Sequence, residues 1–208
     1  MSFDLATSMA TTLEAEVKLA CDDLDRLRGA GFDLHVVEPR HFEDNWLLDS
    51  LDKALLAQGE ALRIRFARGK GWVTFKGAVR ESESVVKVRE EIEFETAGPE
   101  RAVVLFERLG FKRAFRYQKY RTVYNLAVEG GELKVVFDET PMGNFIEIEG
   151  NETTVTRVFD ASGFSTSDLV RESYPELQAK RCKERGVPLE DLVFDSPVGC
   201  EPGAGLDN

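Results

Sequence analysis

Histidine and cysteine are scarce in this sequence. His35 and His41 are its only histidines, and Cys21, Cys182 and Cys200 its only cysteines. The cysteines are odd in number and far apart, with neither metal-type spacing nor a disulfide framework, so each is read as unpaired and reduced. A Cys/His zinc site is not expected on this supply. Any metal would rest on carboxylate oxygens, which suits hard ions such as Mg²⁺ or Mn²⁺. Long apolar runs are missing as well: none approaches the ~20 residues that span a bilayer, so no membrane partner is expected. The first 12 residues lack the basic start and apolar stretch of a signal peptide, which makes a cytoplasmic location the expectation. Positive charge is in deficit, with 27 Lys and Arg against 38 Asp and Glu and a net charge of −11. A general polyanion binder would be basic, so nucleic acid is not an expected partner.

What is present is an ordinary globular composition, 42% hydrophobic and 31% charged over 208 residues. That length fits one domain with a real core. The expected division is a single domain over 1–194, with a core at about 12–150, C-terminal helices over 152–186 and a loose tail over 195–208. Eight strands are predicted at roughly 12–19, 33–42, 62–68, 71–77, 86–95, 112–126, 132–138 and 144–149. Arg68-Gly69-Lys70-Gly71 and Glu129-Gly130-Gly131-Glu132 read as hairpin turns. Helices are predicted at Asp22 to Gly29, at Glu100 to Leu109 after Pro99, at Thr153 to Ala161, and from Ser165 through Arg185, where Gly186 and Pro188 stop it. Residues 43–61 read as an amphipathic loop with a short helix.

Side chains two apart share a strand face. Glu14, Glu16 and Lys18 therefore lie opposite Leu13, Ala15, Val17 and Leu19. Arg63 and Arg65 oppose Leu62, Ile64 and Phe66, and Thr74 with Lys76 opposes Val73 and Phe75. Arg89, Glu91, Glu93 and Glu95 oppose Val88, Ile92 and Phe94. Lys119 and Arg121 oppose Tyr120 and Tyr124, Lys134 and Asp138 oppose Leu133, Val135 and Phe137, and Glu147 with Glu149 opposes Ile146 and Ile148. For a single strand, a charged face simply meets water. For the set, the apolar faces are strong enough to be covered by the helices, which turns the charged faces inward. The fold expected is α+β, a closed eight-stranded antiparallel β-barrel with a charged interior and helices packed outside. Charges packed in such an interior are costly without partners. A polyphosphate with divalent ions meets both signs: Arg and Lys neutralise phosphate oxygens while carboxylates hold the metals.

These residues resemble the CYTH family, also called triphosphate tunnel metalloenzymes. The pentapeptide Glu14-Ala15-Glu16-Val17-Lys18 matches its N-terminal Glu-x-Glu-x-Lys. Arg63 and Arg65, then Lys76, match its paired Arg and later Lys. Arg89 with Glu91 and Glu93, Lys119-Tyr120-Arg121, Asp138, and Glu147 with Glu149 follow in the family's order over residues 12–150. The resemblance implies two divalent ions, Mg²⁺ or Mn²⁺, on Glu14, Glu16, Asp138, Glu147 and Glu149. It implies a triphosphate held by Lys18, Arg63, Arg65, Lys76, Lys119 and Arg121, with Lys18, Glu14 and Glu16 nearest the chemistry. Arg89, Glu91 and Glu93 are additional candidates, equally readable as a wall-bracing set. The implied substrates are ATP, thiamine triphosphate or inorganic triphosphate. Class IV adenylyl cyclase chemistry is the leading expectation and triphosphate hydrolysis the alternative; a non-catalytic polyphosphate-binding module and a purely structural barrel stand behind them. A monomer or a homodimer is expected. His35 and His41 read as ordinary partly exposed residues, and Trp46 and Trp72 as core or rim packing.

Overall fold

In a computed structural model, residues 12–80 and 84–195 are described. Cys200 and almost all of the expected tail lie outside them. Eight strands are present: β1 (Thr12–Ala20), β2 (His35–Asp49), β3 (Ala61–Ala67), β4 (Lys70–Lys76), β5 (Lys87–Thr96), β6 (Lys112–Val128), β7 (Gly131–Thr140) and β8 (Gly143–Gly150). They close in the order β1-β5-β4-β3-β2-β6-β7-β8, with β8 pairing back onto β1. All neighbours are antiparallel, so closure removes every exposed sheet edge. The helices are α1 (Asp25–Gly29), α2 (Ala54–Ala57), α3 (Pro99–Arg108), α4 (Glu152–Ala161) and α5 (Tyr174–Glu184). None of these is long and apolar enough to cross a membrane.

The two-residue period explains which face turns in. Ala15, Val17 and Leu19 of β1 pack outward with Ile146 and Ile148 of β8 and Val135 of β7. Val155, Val158 and Phe159 of α4 cover them. On the other side, Val103 of α3 packs on Ile64 and Val73. The helical cover is incomplete: on the outer face of β5, Ile92 and Phe94 are 45% and 56% exposed. The β3–β4 hairpin turns on Arg68 and Gly69, both at positive φ (51° and 73°), as a two-residue turn that follows strand twist demands.

Two segments differ from expectation. The second strand does not end at 42 but runs through Asp49, and the expected loop at 43–61 holds only the four-residue α2 after it. Register shifts between Val36 and Glu38, and between Glu38 and His41, interrupt the alternation that sequence reading relies on. The last helix begins at Tyr174 rather than Ser165. Ser173 caps it in a capping box with Glu176, and Pro175 sits in the first turn. That is the part of a helix where the missing N–H costs nothing, whereas a helix begun at Ser165 would bury this proline in its middle. The stretch before it instead follows the end of β1: Ala20 N–H donates to the Asp168 carbonyl at 3.1 Å, and Val170 N–H to the Lys18 carbonyl at 2.8 Å.

Candidate active site

The barrel is stoppered at one end. Tyr174, the first residue of α5, packs with Phe115, Tyr117, Phe145 and Leu192 to form an aromatic floor. Leu192 is held there by pairing with Tyr117, Gln118 N–H donating to its carbonyl at 2.8 Å. The floor carries polar groups on its tunnel side. The Tyr174 hydroxyl donates to Asp138 Oδ2 at 2.7 Å, and the Lys18 and Lys119 ammoniums stand 4.3 and 5.3 Å from the ring centroid. Burial first, and then the carboxylates of Asp138 and Glu147, push the Tyr174 phenol well above its ordinary range, so it remains a donor.

Above the floor lies a dense lattice of ion pairs. Asp138, 0% exposed, accepts from Lys119 Nζ at 2.8 Å and from Arg121 Nε and Nη2, both at 2.6 Å. Arg121 reaches Glu147 at 2.7 Å, and Lys18 reaches the other Glu147 oxygen at 3.2 Å. Burial alone would raise the Glu147 carboxyl, but Lys18 and Arg121 outweigh it and hold the group well below the carboxylate range. Asp138 is lowered likewise by Arg121 and Lys119 against the same burial. Lys18 moves the other way: burial would lower it, and Glu147 and Glu16 carry it upward. The deep tunnel is thus a lattice of full charges at neutral pH, each sign stabilising the other.

Nearer the open mouth, Glu14, Glu16 and Glu149 come together. Each offers an oxygen within 4.8 Å of the others. Along β1, Glu14 and Glu16 lie on the mouth side of Lys18, as Glu149 lies on the mouth side of Glu147 along β8. Their cationic neighbours are Lys76 (2.6 Å from Glu14), Arg89 (3.1 Å from Glu16) and Lys134 (2.8 Å from Glu149). Arg89 also comes within 3.6 Å of Glu14. Three clustered carboxylates are hard oxygen donors of the kind that Mg²⁺ or Mn²⁺ takes. Glu91 pairs with Lys76 at 2.8 Å, and Glu93 with Arg63 at 3.2 Å. Arg65 lies 3.4 Å from Glu43.

The structure therefore brings every residue expected in the site to one interior. It divides the expected metal ligands by depth, into the clustered mouthward triad of Glu14, Glu16 and Glu149, and the deep pair of Asp138 and Glu147 bound to Lys18, Lys119 and Arg121. The sequence profile of the CYTH domain matches residues 12–174, most of the chain. The chain belongs to the CYTH family. A provisionally named adenylate cyclase of Methanocaldococcus jannaschii is 26% identical over 181 residues, covering 80% of this chain and 98% of its own. Two solved structures share the CYTH barrel. A provisionally named adenylate cyclase from Vibrio parahaemolyticus aligns with a TM-score of 0.64 at 19% identity, covering 80% of this chain and 97% of its own. A provisionally named adenylyl cyclase from Hippeastrum, described as having a dominant triphosphatase activity, aligns at 0.55 and 23% identity, covering 86% and 99%.

Several interior residues of this CYTH barrel escaped the sequence reading. Glu43, 1% exposed, lies 3.6 Å from Lys119 and 3.5 Å from His41. Burial would raise its carboxyl, but Arg65 and Lys119 hold it well below the ordinary range. Trp72, expected in core or rim packing, shares a small cavity of about 120 Å³ at the mouth with His41, Glu43 and Arg65. Asn45 is buried on the same inner face. Extending the strand-two alternation beyond residue 42 would have found both Glu43 and Asn45. Trp46, by contrast, faces out against Phe66.

Proposed function

We propose that this chain is a divalent-metal-dependent enzyme that takes the triphosphate of ATP into the barrel and closes ATP to cyclic AMP, releasing pyrophosphate. The observation that carries this reading is the order of charges along the tunnel. The open carboxylate triad stands mouthward of a cationic lattice that ends on a closed floor. A triphosphate entering end-first sets its outer phosphates among Lys18, Lys119 and Arg121. Its α-phosphate then lies at the level of Glu14, Glu16 and Glu149. Arg63, Arg65 and Lys76 line the path from the side. The triad would hold Mg²⁺ or Mn²⁺, and the ion when bound lowers the pKa of the attacking hydroxyl and screens the phosphates. Lys18, between Glu16 and Glu147, orients the phosphate next to that position. With Lys119 and Arg121 turned to phosphate oxygens, Asp138 and Glu147 are the residues that would hold a second divalent ion. The basic residues at the floor stabilise the charge that develops on departing pyrophosphate.

A second reading, hydrolysis of the terminal phosphoanhydride, is favoured by the activity described for the Hippeastrum protein. The same charges serve either reaction, and what differs is which phosphorus meets the nucleophile. The deciding experiment incubates purified protein and Mg²⁺ or Mn²⁺ with ATP, thiamine triphosphate and inorganic triphosphate, and resolves the products. Cyclic AMP with pyrophosphate is expected from ATP. Orthophosphate as the main product, released fastest from inorganic triphosphate, would replace the cyclase reading with the hydrolase one.

A further inference from the structure

Asn45 is a residue whose place in the fold does not explain it. It is 0% exposed, and neither Oδ1 nor Nδ2 has a hydrogen-bond partner among the described residues. An amide left unmade in a protein interior costs about 1–3 kcal/mol, and Asn is also a poor strand former. A leucine of similar shape would carry neither cost. Stability alone gives no reason for an amide here.

Its surroundings give one. Asn45 stands opposite Arg65 of β3 and Tyr117 of β6, and Arg65 in turn stands opposite Trp72 of β4. These four residues form a row across the inner wall that descends from the cavity at the mouth, which Trp72 and Arg65 line, to the floor, where Tyr117 packs. Arg65 is also underused. Its Nε has no hydrogen-bond partner among the described residues. Its contacts to Glu43 and Glu93 are ion pairs at 3.4 and 3.9 Å, beyond ordinary hydrogen-bond length. Arg63, one layer deeper, also has an unpartnered Nε, but its Nη2 is bonded to Thr74 at 3.0 Å and to Glu93 at 3.2 Å. Two adjacent groups thus keep spare N–H donors in the wall of a tunnel. A neighbouring guanidinium repels a cation, so the partner that fits both donors is an oxyanion.

We infer that Asn45 and Arg65 form an oxyanion subsite in the tunnel wall that holds a non-reacting phosphate oxygen of the substrate. Arg65 supplies the charged bond and the Asn45 amide nitrogen a neutral one. Because neither end of the amide is bound elsewhere, it turns to present its NH₂ at no cost. The inference rests on the reading of the tunnel as a triphosphate site, and it makes Asn45 a binding residue of that site.

The test uses bismethylene triphosphate, whose bridging carbons cannot be cleaved, titrated calorimetrically with Mg²⁺ into the wild type, Asn45→Leu and Asn45→Asp. Thermal unfolding without ligand is measured in parallel. Asn45→Leu is expected to bind roughly 10–100-fold more weakly, the range for a lost hydrogen bond to a charged group, while unfolding at an equal or higher temperature. Asn45→Asp, which keeps the size and sets a carboxylate beside Arg65, is expected to bind still more weakly. Wild-type affinity in either variant overturns the inference, and so does a loss of thermal stability in both, which would make Asn45 a structural residue. If Asn45→Leu alone fails to fold, the affinity of Asn45→Asp decides. A wild type that does not bind the analogue would overturn the triphosphate reading itself, so the two failures are told apart.

Discussion

A carboxylate buried between two cations is a different object from one in an open acidic group, and the barrel holds both kinds. Glu147 lies within 3.2 Å of Lys18 and 2.7 Å of Arg121. Removing it leaves two buried cations short of a partner. Glu147→Ala is therefore expected to lower unfolding free energy by about 3–5 kcal/mol, measured by urea denaturation, besides abolishing turnover. Glu16→Ala removes one ligand of the open triad, and Glu14 and Glu149 remain. It is expected to abolish metal-dependent turnover with much less loss of stability. Full activity in Glu16→Ala would remove the triad from the chemistry. The two classes were not distinguishable in the sequence, because Glu14, Glu16, Glu147 and Glu149 all read alike as inward charges on β1 and β8. Their difference comes from Arg121 and Lys119 crossing over from β6, a contact that strand periodicity does not contain.

At the scale of elements, legibility followed local regularity. Strands β1, β3, β4 and β8 keep strict alternation, and their inward residues were readable one by one. The same rule failed in β2, where two register shifts lie before His41 and the polar run Glu43-Asp44-Asn45 resembles a loop. It was those residues that carried the missed part of the site. Helix α5 was readable as a helix but not as a stopper, since what places Tyr174 on the floor is its packing across the barrel end. Its start depends on Ser173, whose N–H and hydroxyl both donate to Glu176 at 2.7 Å. Ser173→Ala is expected to cost about 1 kcal/mol of stability. Hydrogen exchange should quicken in the first turn of α5 before any other helix is affected. Unchanged protection there would mean that the floor packing alone defines the helix start.

For the molecule as a whole, the interior lattice ties stability to pH. Glu43, Asp138 and Glu147 all titrate below their ordinary values of 4.5 and 3.8. The stability they contribute is fully present above those values and is lost as pH falls through the lower folded values. The melting temperature should hold from neutral pH to about 5 and then decline through the acid range. In the alkaline range the contribution of the raised Lys18 is whole below its ordinary 10.5 and is lost as pH rises from there through its higher folded value. A melting temperature flat down to pH 3 would contradict the lattice. Closure of the barrel itself was legible, because eight alternating segments with one charged and one apolar face leave few other ways to bury the apolar side. The partial bareness of β5 was not, since helix placement depends on connections rather than on the strand's own pattern.

The aromatic floor beneath Lys18 and Lys119 makes the tunnel a blind alley. What goes in first must come out last. If ATP enters by its terminal phosphate, cyclic AMP is the outer product and leaves first, and pyrophosphate departs behind it through the same opening. Traffic of this kind leaves a kinetic signature: pyrophosphate should compete with ATP for free enzyme, whereas cyclic AMP should inhibit noncompetitively. The reverse assignment in product-inhibition plots would mean that the exit route bypasses the mouth.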